Sequence, residues 1–369
     1  MCFSDRSGCE RDSLLLPTPF QRAMVPSRQP QPVLRKTLMA GAAICLLHAV
    51  PGGTAQAAPS SASPVPAASA EHVILFVLEG VNQSSPKTGP MPVLKRLVKD
   101  GSVTWSANAV TPALRLPTMA SLLTGVPVQK HGVTWDSFDF ARGYPRPPTV
   151  FDYLDLSGGK DSAIFFMDES LYQLAKPEPY TDYQICGQLR PECTPQTLVK
   201  YIRDYFKKAT SGEGYGHAIL SLPHFLVVHL PAPARAGQMQ GWTSRAYQQA
   251  LGAVDHAMGA VLDLYKELGL LKRTTVFVTT LSSGPSPSAS NGHELPQVLW
   301  AASGAGIKAG HVITQPVSIL DTGATILRTL GLETFTEWES RPVEEIFHGS
   351  GGPGVAQNGK PGAGHANTR

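Results

Sequence analysis

The 369-residue chain carries 31 Lys and Arg against 28 Asp and Glu, a formal net charge of +3, with 42% hydrophobic and 16% charged residues. Six of the basic and three of the acidic residues fall in positions 1–57, which leaves 25 of each in the remainder. A balanced remainder offers no basic face of the kind that nucleic acid or an anionic membrane surface requires, so neither is expected as a partner.

In chain order, Arg35 and Lys36 precede an apolar run over 38–50, and the small-residue pattern Ala55-Gln56-Ala57 follows. This is the layout of a secretory signal peptide cut after Ala57. The apolar run is well short of the roughly 20 residues of a membrane span. A start at Met24 would give a leader of ordinary length. Residues 1–57 are therefore expected to be an extension plus leader, 58–70 a Pro/Ser/Ala linker, and 348–369 a Gly-rich tail. Between them, 71–347 is long enough for one large domain, with 137–215 read as a cap-like excursion. Only Cys186 and Cys193 remain beyond the leader. In an oxidising compartment they read as one local disulfide. Two thiols without neighbouring His or Cys fall short of the four ligands of a structural zinc site.

The run HVILFVL over 72–78 predicts a strand buried on both faces, ending at Glu79-Gly80. A helix is expected over 92–100, stopping at Gly101, and a second from Pro117 to Gly125. Further strands are predicted at 163–166, 226–230 and 275–279. A long helix over 244–268 carries Tyr247, Leu251, Val254, Met258, Val261 and Leu262 on one face. Alternating strands and helices predict a three-layer α/β/α sandwich with a mostly parallel central sheet. Chemistry in such folds sits just past the carboxyl ends of the strands.

Four segments, in order, resemble the type I phosphodiesterase and nucleotide pyrophosphatase branch of the alkaline phosphatase superfamily: HVILFVLEGV, TPALRLPTMASLLTGVPVQKHGVTW, VVHLPAPARAGQMQGWTSRAYQQALGAVDHAMG, and LWAASGAGIKAGHVITQPVSILDTGATILRTLGLE with WESRPVEEIF. The resemblance implies two zinc ions that clamp a phosphoryl group and activate a nucleophile at a helix N-terminus. It also implies Asp and His ligands just past the strands. At those positions this sequence is consistently different. Glu79 stands for the first metal-binding Asp, and Arg115 for the nucleophile. Asp136 stands for a phosphate-contacting Asn. Ala234 and Gln238 stand for an Asp and a His, and Leu281, Ser282 and Ser283 cover an Asp-His pair. His293 alone resembles a surviving ligand.

A guanidinium stays protonated, and beside divalent cations it is repelled by about 4 kcal/mol per unit of charge at 4 Å and an effective dielectric near 20. No zinc cofactor is therefore expected, and Glu79 with His293 would be at most a residue of the old ligand set. Glu79 is expected to pair instead with Arg115, with Asp136 as a second nearby anion. Arg115, Glu79, Asp136, Gln238, Ser282 and Ser283 are the residues expected to line the former cleft, where a small anion could bind. His131 is read as structural, His229 as a satisfied core histidine, and Asp255 and Asp321 as helix supports. The sequence thus predicts an exported, catalytically inactive homologue of phosphodiesterases. An active enzyme with relocated ligands and an assembly protein are the alternatives.

Overall fold

The computed structural model describes residues 68–157, 159–175, 181–182, 193–212, 221–282, 284 and 296–349. The strands are β1 (His72–Glu79), β2 (Gly101–Asn108), β3 (Ser162–Phe165), β4 (Thr181–Asp182), β5 (Phe225–Leu230), β6 (Thr274–Ser282), β7 (Gln297–Gly304) and β8 (His311–Val312). They form one sheet in the order β4-β3-β5-β1-β6-β7-β2-β8. All pairings are parallel except those of β7, which runs against both β6 and β2.

The helices are α1 (Ser85–Thr88), α2 (Pro92–Lys99), α3 (Arg115–Thr124), α4 (Val128–His131), α5 (Val150–Leu156), α6 (Tyr172–Ala175), α7 (Pro195–Ser211), α8 (Ala232–Gln240), α9 (Arg245–Glu267) and α10 (Asp321–Thr329). Side chains alternate across a strand, and β1 shows the consequence directly. Val73, Leu75 and Val77 enter a core shared with α3, α5 and α10. Ile74, Phe76 and Leu78 enter a second core shared with α2, α7 and α9. Both faces are covered, so every β1 residue is buried. At about 25 cal/mol per Å² of apolar area, these two cores are the main stabilising contribution.

The architecture is the expected three-layer sandwich. Most elements begin or end within two residues of the expected positions; α3 starts at Arg115, two residues before Pro117, and β6 runs on to Ser282, three residues past its expected end. Residues 137–215, read from sequence as a cap-like excursion, supply β3 and β4 of the sheet and α7 of one layer.

Buried polar side chains brace the framework. Both carboxylate oxygens of Asp255, on α9, accept from the first turn of α2: Oδ2 from the Val93 N–H at 2.9 Å and Oδ1 from the Leu94 N–H at 2.8 Å. Asp321 accepts from the Ser318 and Arg341 N–H groups. Burial outweighs these neutral donors and raises both carboxyls above their ordinary value. His131, 1% exposed, accepts at Nδ1 from the Val133 N–H, so Nε2 carries the proton that reaches Ser121 Oγ at 2.8 Å. Burial pushes its pKa down to about 4.

Candidate functional site

The carboxyl ends of β1, β3 and β5 and the N-terminus of α3 converge on one group of charges. On β1 the alternation that sends Val77 toward α3 also sends Glu79 there, and the register with β6 shifts between Leu78 and Glu79. Gly80 then turns at φ +76°, where the place of a Cβ lies 2.5 Å from the Ala234 nitrogen. Only glycine permits both that backbone and that approach of α8.

Arg115 occupies the first turn of α3 and grips Glu79 with two nitrogens. Nε lies 2.6 Å from Oε1 and Nη2 3.2 Å from Oε2. Its third nitrogen, Nη1, lies 2.9 Å from Asp168 Oδ2. Arg235 of α8 reaches the same Asp168 oxygen at 3.3 Å and also donates to the Met167 carbonyl. Two carboxylates and two guanidinium groups therefore alternate in sign across the strand ends. His229, fully buried on β5, approaches Glu79 Oε1 at 2.7 Å through Nε2. A carboxylate only accepts, so Nε2 is the protonated nitrogen. Its Nδ1 and the Arg235 Nε are buried without a hydrogen-bond partner among the described residues.

The electrostatics follow from these contacts. Burial alone raises the Glu79 carboxyl, but the interactions with His229 and then with Arg115 outweigh it and hold the group below the usual range. At Asp168 burial is likewise outweighed, first by the Ser170 hydroxyl and then by Arg115. Arg115 is driven further above its ordinary value, because Glu79, Asp168 and Asp136 together overcome its desolvation. A cation in the first turn of a helix opposes the dipole. The compensation comes from Glu79 and from Asp136, whose Oδ1 accepts the Leu116 N–H at 2.7 Å.

The remaining expected positions do not join this group. Gln238 is exposed on α8, and Ala234 is buried against Gly80. Leu281 packs in the core, and the Ser282 carbonyl accepts the Gly80 N–H at 2.7 Å. Ser283, His293 and Cys186 lie outside the described residues. His229 is not an isolated core histidine, since it is bonded to Glu79. Asp168 and Arg235 were missed from the sequence. Asp168 stands three residues past β3, where the strand-end rule points, and Arg235 lies inside the segment that contains Ala234 and Gln238.

Zinc, the cofactor implied by the sequence resemblance, does not fit the described residues of the site. The carboxylate retained at a ligand position has both oxygens taken by a guanidinium. Among the described residues, no group of three or more His, Cys, Asp or Glu could share a metal ion.

The mostly parallel sheet with helices on both faces and charged residues at the strand ends defines a three-layer α/β/α protein. Within that class, residues 73–280 match the model of the type I phosphodiesterase / nucleotide pyrophosphatase family, and the chain belongs to that family. Rat ectonucleotide pyrophosphatase/phosphodiesterase family member 1 is 24% identical over 221 residues, which is 54% of this chain and 22% of the relative. The human protein of the same name is 25% identical over 219 residues, again 22% of its length. The chain thus spans about a fifth of these curated relatives. An inactive variant of murine ectonucleotide pyrophosphatase/phosphodiesterase 5, solved in complex with AMP, superposes with a TM-score of 0.57 at 12% identity, covering 75% of this chain and 100% of that one. A protein solved with its substrate D-glucosamine-2-N,6-O-disulfate gives 0.55 at 13%, covering 76% and 80%. At such identities the likeness is one of fold.

Proposed function

We propose that the chain is an exported member of the family that does not hydrolyse phosphodiesters, its metal centre replaced by an internal charge network. The observation that carries this reading is Arg115, at the position expected for the nucleophile, bound through all three nitrogens to Glu79 and Asp168. It has no hydroxyl to form a covalent intermediate, and its charge opposes divalent cations. The same contacts narrow the anion-binding role expected for Arg115, since its donors already serve internal carboxylates. Export is supported by the leader pattern before Ala58 and by the "ecto" names of the relatives. No helix among the described residues is long and apolar enough to cross a membrane.

The test is turnover of a chromogenic phosphodiester and of a nucleotide pyrophosphate by the mature protein with zinc added, together with its zinc content. The expected result is no turnover above background and no stoichiometric zinc. Arg115→Thr should stay inactive, because the metals would still lack ligands. Two zinc ions per wild-type chain, or zinc-dependent turnover, would sink the reading.

A further inference from the structure

The internal charge network, on which the proposed function rests, has a second property. Arg115 and Arg235 come from different helices, α3 and α8, yet both point a guanidinium nitrogen at the same oxygen of Asp168, at 2.9 and 3.3 Å. Two guanidinium groups converging on one oxygen form the arrangement that holds a carboxylate, phosphate or sulfate oxyanion. Here the oxyanion is supplied by the chain itself. Asp168 is 3% exposed, whereas the Arg115 and Arg235 side chains are 17% and 27% exposed, so the two cations are less enclosed than the carboxylate between them. The Arg235 Nε is in addition buried without an acceptor among the described residues. A buried donor left unsatisfied is costly and marks a place where an acceptor is missing.

We infer that Arg115 and Arg235 form an oxyanion-binding site in which the Asp168 carboxylate takes the place of the ligand. Asp168 is therefore an internal competitor, and a small acidic ligand binds the wild-type chain only by displacing it. Displacement has a structural consequence. The segment that follows β3 is held at one end by Asp168, whose Oδ1 also caps the Ser170 N–H and hydroxyl. Gln173 holds its other end, donating to the Asp139 and Gly143 carbonyls and accepting from the Trp135 indole N–H. Releasing Asp168 frees the first of these two anchors and leaves the second in place.

The experiment uses the mature full-length chain with inorganic phosphate and, separately, acetate at constant ionic strength set with chloride. Binding is followed by calorimetric titration and by the thermal midpoint of unfolding. Asp168→Ala should be less stable than wild type without added oxyanion. It should recover saturably with phosphate or acetate, binding at least about tenfold more tightly than wild type, since a ligand specific to the folded state stabilises in proportion to its occupancy. Adding Arg235→Met to Asp168→Ala should remove the saturable response. If Asp168→Ala does not fold, the near-isosteric Asp168→Asn serves, with the same expected ordering. Equal phosphate affinity in wild type and variant overturns the inference, as does a variant that folds but shows no saturable response. These outcomes are separable from those of the hydrolysis assay. Zinc-dependent turnover by wild type would remove the proposed function whatever the phosphate titrations give, and a failed titration leaves the absence of hydrolysis untouched.

Discussion

The carboxylates of the charge network at the strand ends and those of the framework's polar braces are largely buried and all hydrogen-bonded, but to different kinds of partner. Glu79 and Asp168 face guanidinium groups, and their carboxyls are held below the ordinary range. Asp255 and Asp321 face neutral backbone N–H groups, and burial wins, raising theirs. Desolvation acts in the same direction at all four. At Glu79 the His229 and Arg115 contacts overturn it, at Asp168 the Ser170 hydroxyl and then Arg115 do, and at Asp255 and Asp321 the backbone donors do not. The network therefore depends on its members jointly, whereas each brace acts locally.

That contrast is sharpest at Glu79. Glu79→Gln leaves Arg115 short of its bidentate partner in a buried setting and should cost roughly 3 kcal/mol or more. Combining it with Arg115→Met should recover much of the loss. Denaturant unfolding of the two single variants and the double gives the coupling, and additive losses would show that the pair does not act as a unit.

Acid separates the two regions next. His131 has a folded pKa depressed to about 4 from 6.5. Its contribution is fully present above 6.5 and is lost as the pH falls toward the folded value, on the order of 3 kcal/mol in all. Glu79 and Asp168 also have lowered pKa values, but their share persists down to about their unfolded values of 4.5 and 3.8 and is lost only below. Stability measured against pH should thus fall in two stages, and His131→Asn should flatten the upper one alone. A single stage common to both proteins would contradict the assignment.

The proposed Cys186–Cys193 disulfide involves none of the residues of either region and gives a reference for them. Closing a loop of this length stabilises by about 2–3 kcal/mol in the chain-entropy model. Reduction should lower stability by that order, and the native protein should show no titratable thiol. Two free thiols in unreduced, exported protein would rule the bridge out.

The smallest effect is expected at Asp255. Asp255→Asn leaves one of the two α2 N–H groups facing a donor and should cost about 1 kcal/mol near neutrality. Because the folded pKa is raised, the wild-type contribution declines as pH rises from 3.8 through the folded value, the reverse of Glu79. The difference between wild type and variant should therefore shrink with rising pH, and growth with pH would reject the brace as described.

Much of this was legible from sequence, for identifiable reasons. β1 and β6 announce themselves as apolar runs because both faces are covered, and α9 shows helical periodicity because one face is. The direction of β7 is not encoded in its own residues, since an apolar run reads the same whether it runs with or against its neighbour. β4 and β8, two residues each, carry no periodicity at all. At the site, the Glu79–Arg115 contact could be anticipated because two residues of opposite charge stand at positions that two of the family's segments bring to one site. Asp168 and Arg235 belong to segments far apart in the chain, and nothing in either segment names the other. The third and fourth members of the network become visible only once β3 is aligned beside β5 in the sheet and α8 is packed against β1.

Arg115 holds Glu79 and Asp168 at once, and that double grip bears on which sequences can lie next to this one. Changing Arg115 to a hydroxyl residue strands two neighbouring carboxylates before any metal can neutralise them. Introducing metal ligands at Ala234 or Leu281 first adds anions or imidazoles to a pocket already balanced in charge. The zinc-binding and the arginine-bridged arrangements are thus separated by intermediates less stable than either, and single substitutions do not connect them. A passage between the two states, in whichever direction, is expected to require several coordinated changes.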